Sequence, residues 1–92
     1  MSYELRYHSA VMKDDVPALD TSLRTRVRSA IEQKLATKPD LFGIPLRRSL
    51  KGLRKLRVGD YRIIFRIEKK HVLVFAIQHR SVVYTNVEHR IH

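Results

Sequence analysis

Apolar and polar residues alternate through the second half of the chain, and residues 53–58, 61–68 and 71–78 read as three strands joined by Gly59-Asp60 and Glu68-Lys69-Lys70. A two-residue loop with Gly first suits a type II′ hairpin, which sets the register of the strands it joins. Counting outward from that turn places Val58 opposite Tyr61, Arg57 opposite Arg62, Leu56 opposite Ile63, Lys55 opposite Ile64 and Arg54 opposite Phe65. Because side chains alternate between faces, Leu56, Val58, Tyr61 and Ile63 share one side and Lys55, Arg57 and Arg62 the other. One face reads as core and the other as a cation cluster. The third run, HVLVFAIQ from His71 to Gln78, is nearly continuous apolar sequence, as a central strand covered on both faces requires.

In the first half, Tyr3, Leu5 and Tyr7 alternate with Glu4, Arg6 and His8, which predicts a short first strand. Ser9 can cap a brief helical turn through Val11 and Met12, and Pro17 is expected to end or kink it. A second start lies at Asp20-Thr21-Ser22. From there Leu23, Val27, Ala30, Ile31 and Leu35 fall on one face of an amphipathic helix that ends before Pro39. Residues 40–45 carry Leu41, Phe42 and Ile44, too apolar for a free linker, and are expected to pack over the end of the sheet. Val83, Val87 and Ile91, four apart, predict a last helix over 81–91. The sum is an α+β fold, with N-terminal helices packed on a small antiparallel sheet, a meander and a C-terminal helix, the helices mainly on one face.

Ninety-two residues suit one domain spanning 1–92, and the absence of cysteine leaves an apolar core to hold it. Hydrophobic residues at 43% make that core feasible. Only the sign of the charge is unusual: nineteen Lys and Arg against nine Asp and Glu give +10. Such a balance favours a polyanionic partner, nucleic acid first, an acidic protein next and a membrane surface last. Most of the cations are spread from Arg24 to Arg90 rather than gathered in a tail, so the charge belongs to the folded body. The opening residues show no signal-peptide pattern and no run approaches the ~20 apolar residues of a membrane span, so a cytoplasmic setting is expected.

The chemistry narrows by exclusion. Three glycines leave no room for a phosphate-cradling Gly-rich loop. Asp14, Asp15, Asp60, Glu68 and Glu88 are scattered over turns and ends, which argues against a two-carboxylate hydrolase. His71 and His79 would stand about 26 Å apart on an extended strand, and His89 with His92 lacks a third ligand, so no metal or other cofactor is expected. What remains is Lys55, Arg57, Arg62, His79, Arg80 and Tyr84. Each has an ordinary use as surface charge, structural histidine or half-buried tyrosine. Together they could hold a phosphodiester and offset charge developing on phosphorus. RNA supplies its own nucleophile, the 2′-hydroxyl, so the protein needs only to take one proton and give another. Placing Arg57 across from Arg62 costs roughly 0.2–1 kcal/mol, and an anion between them would offset it.

The segments PLRRSLKGLRKLRVGDYRIIFRI and HVLVFAIQHRSVVY, with YELRYHSAVMKDD and SLRTRVRSAIEQKL before them, resemble the RelE/ParE superfamily of bacterial toxins from type II toxin–antitoxin modules. The resemblance covers nearly the whole chain. It implies N-terminal helices on a curved antiparallel sheet and a cognate antitoxin, expected here to be acidic and partly disordered. RelE-type members cut mRNA in the ribosomal A site without metal, whereas ParE-type members inhibit DNA gyrase by binding. By position, Arg62 matches the arginine that contacts the scissile phosphate, and Lys55 and Arg57 the basic pair on the preceding strand. Arg80 matches the later catalytic arginine and Tyr84 the tyrosine that orients a base. The pattern departs at Arg57, where an arginine replaces the lysine and cannot act as a base, a role that His79 could take.

Overall fold

In the computed structural model of the chain, which describes residues 2–91, the hairpin has the register that its turn dictates. Strands β1 (Glu4–Tyr7), β2 (Ile44–Pro45), β3 (Arg54–Val58), β4 (Tyr61–Glu68) and β5 (His71–His79) form one sheet in the order β1-β5-β4-β3-β2. Gly59 has φ +60 while Asp60 stays outside the left-handed region, as a type II′ turn requires. Arg57 stands opposite Arg62 and Lys55 opposite Ile64. The meander β3-β4-β5 is antiparallel as expected, but β1 joins the far side of β5 in parallel, so the whole sheet is mixed. Alternation marks a strand without saying which neighbour it takes.

A register shift between Ile64 and Phe65 leaves Phe75 as the extra residue of β5. It turns two consecutive side chains, Phe75 and Ala76, toward one face, while Val74 and Ile77 point to the other. This is how an uninterrupted apolar strand fills two cores. On the first face lie Leu56, Val58, Ile63, Phe65, Val72, Val74 and Ile77, covered by α2 (Thr21–Ala30) through Val27 and by the wide turn Ile31–Leu35 that extends it. On the second lie Ile64, Phe75 and Ala76, covered by α4 (Val83–Ile91) through Val83 and Val87. The helices therefore flank the sheet rather than gather mainly on one face, because β5 is apolar on both.

Asp20 caps α2 by accepting the Leu23 N–H at 2.7 Å. Pro17 departs from expectation. The helical segment before it widens over Val11–Asp15, then continues through Pro17 as α1 (Val16–Ala18) and ends only when Leu19 turns extended. The wide turn hands the Val16 N–H to the Val11 carbonyl, five residues back, which accommodates a proline that has no N–H to give. His8, not Ser9, caps the segment, its Nδ1 accepting the Ala10 N–H at 3.1 Å. Residues 40–45 also differ: α3 (Pro39–Phe42) and β2 replace the loop, and Leu41, Phe42 and Ile44 are exposed rather than packed. Pro39 and Gly43 make the inward contacts instead, and a side chain at Gly43 would run into the Phe65 ring.

Where β1 stops, the remaining edge of β5 is completed by a carboxylate. Asp15, fully buried, accepts the Ile77 N–H at 2.9 Å and the Gln78 amide at 2.9 Å. Arg90 of α4 reaches the same carboxylate with both terminal nitrogens, at 2.7 and 2.8 Å, and also donates to the Phe75 carbonyl. Asn86, one turn earlier on α4, donates to Gln78 at 2.9 Å. The bond to Asp15 raises the pKa of Arg90 above that of a free arginine, against its own desolvation. This network ties the first helical segment, the last helix and the central strand together.

Candidate phosphate cleft

The antiparallel pairing of β4 with both neighbours brings the Gly59-Asp60 turn and the exit of β5 to one end of the sheet, with Tyr61 opposite His79. The Arg80 N–H donates to the Asp60 carbonyl at 2.8 Å and closes that junction. α4 begins three residues later on the cation-bearing face. Lys55, Arg62, His79, Arg80, Ser81 and Tyr84 then line one open cleft, and no carboxylate lines it. Five of the six residues selected from the sequence meet there.

Arg62 is held before any ligand arrives. One terminal nitrogen donates to the Gly59 and Tyr61 carbonyls, at 3.0 and 2.9 Å, so the turn itself fixes the guanidinium. Lys55 Nζ lies 5.9 Å from the centre of the Tyr84 ring, a cation over an aromatic face that aligns strand and helix across the cleft. Arg80 is exposed and only loosely paired, its Nε 3.8 Å from Asp60. The His79 ring meets Tyr61 edge-on at 5.5 Å.

Ser81, which sequence reasoning did not select, governs His79. Its backbone N–H donates to Nδ1 at 3.1 Å and its hydroxyl lies 2.8 Å from the same nitrogen. A nitrogen that accepts a backbone N–H carries no hydrogen, so the neutral ring has its proton on Nε2. The only sequence signal for this was a hydroxyl residue two positions beyond a strand-ending histidine.

Arg57 does not line the cleft. β2 ends where Ile44 pairs with Lys55, which leaves the edge of β3 uncovered beside Arg57, and its side chain lines a separate groove between β3 and α2. Among the described residues, no three His, Asp or Glu side chains group as a metal site would need; His92 lies outside those residues. No helix among them is long and apolar enough to cross a membrane.

Fold and cleft together define a small, strongly basic α+β protein with an open, carboxylate-free cluster of cations at one end of its sheet. A profile for the ParE toxin of the type II toxin-antitoxin system parDE matches residues 6–84. Toxin RelG and Toxin RelE of Mycobacterium tuberculosis are 30% identical over 86 residues and 32% identical over 89, covering 91% of this chain and 98% and 92% of their own lengths. The toxin–antitoxin complex RelBE2 of the same organism contains a chain that superposes with a TM-score of 0.79 at 28% identity, covering 87% of this chain and all of that one. A double mutant of Escherichia coli toxin RelE in the free state, at 16% identity and a TM-score of 0.74, shares the fold over 98% of this chain and 94% of its own. The chain belongs to the RelE/ParE superfamily of toxins from type II toxin–antitoxin modules.

Proposed function

We propose that this toxin is a metal-independent endonuclease that cuts mRNA on the ribosome and is neutralised by a cognate antitoxin, an acidic and partly disordered protein. The convergence of Lys55, Arg62, His79, Arg80 and Tyr84 on one carboxylate-free cleft carries the reading. Arg62 and Arg80 hold the scissile phosphate and offset the charge that grows on its oxygens. Tyr84 stacks on or orients a base. Lys55, in the form that has already given up its own extra proton, accepts the 2′-hydroxyl proton as that oxygen bonds to phosphorus and becomes an ammonium again. The 5′-oxygen leaves with the Nε2 proton of protonated His79, a form in which Nδ1–H gives up the Ser81 N–H and donates to the Ser81 hydroxyl instead. The products are a 2′,3′-cyclic phosphate and a free 5′-hydroxyl. Arg57 contributes charge from outside the cleft. The antitoxin reading draws on the RelBE2 assembly and on the charge of +10 that such a partner would cover.

A second reading has one observation in its favour: the matching profile is that of a ParE toxin, and the resemblance to ParE-type members implies inhibition of DNA gyrase by binding. Primer-extension mapping of mRNA in a reconstituted translation reaction is run beside a gyrase supercoiling assay. Ribosome-dependent cuts ending in a cyclic phosphate with unimpaired supercoiling are expected. Blocked supercoiling without cuts would replace the nuclease reading with the binding one.

A further inference from the structure

On the opposite face of the sheet from the cleft, the wide face of α2 and the uncovered edge of β3 enclose an open groove lined by Thr25, Arg26, Ser29, Gln33, Lys34 and Arg57, with Ala30, Val58 and Gly59 as its floor. No carboxylate lines it, and no ion pair among the described residues involves Arg26, Lys34 or Arg57. The Arg26 guanidinium lies over Gly59, so a Cβ there would sit 3.3 Å from it. Three cations thus converge with the Ser29 hydroxyl and the Gln33 amide, groups able to donate to phosphate oxygens, while the Thr25 hydroxyl already donates to the Thr21 carbonyl at 3.0 Å. A protein partner would need apolar anchors at the centre of its interface, and the groove offers only Ala30 and Val58. Its chemistry is that of a nucleic-acid backbone site.

We infer that the α2–β3 groove binds the phosphate backbone of a second RNA, distinct from the strand held in the cleft. The two sites share the Gly59-Asp60 hairpin but open on opposite faces of the sheet, so a strand seated in one cannot continue into the other without doubling back round the edge. This inference rests on the ribosome-dependent reading, in which the message is presented beside structural RNA. The groove supplies docking, and the cleft supplies chemistry.

The test measures binding to purified ribosomes without message and, separately, to a short single-stranded RNA. Arg26→Glu/Lys34→Glu is compared with the wild type and with Lys69→Glu/Lys70→Glu, which makes the same change in net charge at the exposed turn between β4 and β5. Loss of two phosphate contacts should weaken ribosome binding about 10–100-fold near 0.1 M salt and flatten the log–log salt slope by about two. Binding of the short RNA and kcat at saturating ribosomes should hold, while KM rises. Equal losses in the Lys69/Lys70 control, or equal losses toward the short RNA, would overturn the groove assignment. So would a variant that binds ribosomes normally and loses only antitoxin, which would make the groove a peptide site. A wild type that does not bind ribosomes at all would instead remove the nuclease reading on which the inference stands.

Discussion

Lys55 and Arg57 lie two residues apart on one strand and start toward the same face, yet they serve different surfaces. Alternation predicts where a Cβ points, but a long side chain beside an uncovered edge is free to turn round it. The cleft was legible at Arg62, His79, Arg80 and Tyr84 because hairpin register and helical spacing place backbones. Ser81 was not, because its role is a bond to one ring nitrogen, which no spacing encodes. That bond also divides the proton work. With Nδ1 taken up by the Ser81 N–H and Nε2 carrying the proton, neutral His79 offers no free lone pair as a base, and Lys55 is left to take the 2′-hydroxyl proton. Lys55→Arg keeps the charge and the reach but cannot accept a proton near neutral pH. Single-turnover cleavage on ribosomes should fall by about 10²–10⁴-fold, the usual worth of a general base, while RNA affinity stays within about threefold. An Arg variant that cuts at more than about a tenth of the wild-type rate would place the base elsewhere.

At the scale of elements, the cleft depends on where α4 sits, because Tyr84 rides on it. The apolar positions Val83 and Val87 hold the helix against the sheet, and the Asp15–Arg90 fork pins its far end. Both ends of that fork were visible only as one of two adjacent acids and one of nineteen cations. The pairing spans 75 positions and follows from β1 being too short to cover the edge of β5. For the same reason the helices and the meander were readable from periodicity, and the parallel docking of β1 was not. Asp15→Asn leaves the Arg90 charge largely buried with half its partner gone, and breaking such a pair costs about 3–5 kcal/mol. Urea unfolding should show that loss as a lower midpoint at unchanged slope. Asp15→Asn/Arg90→Met removes the stranded charge and should recover part of it. A double variant no more stable than the single one would mean that the bonds to Ile77 and Gln78, and not the ion pair, carry the stability.

For the molecule as a whole, +10 on 92 residues is a standing cost to the compact state, since like charges held together on a small body repel. Short carboxylate contacts relieve little of it. The surface pairs Arg6–Glu4 and Arg66–Glu68 are solvated, and the buried Asp15 is already committed to Arg90. The free protein is therefore expected to gain stability from anions in two separable ways. Any salt screens the general repulsion, so Tm should rise with sodium chloride and level off as the Debye length falls to about 8–10 Å. Phosphate should add more at matched ionic strength, because it binds the folded state where Arg62 is already held by the turn carbonyls and Lys55 and Arg80 stand open beside it. Arg62→Ala separates the two effects: the rise in chloride should persist and the phosphate increment should shrink. If the increment survived both Arg62→Ala and Arg26→Glu/Lys34→Glu, the charge would be acting as a diffuse field, and neither the cleft nor the groove could be called an anion site.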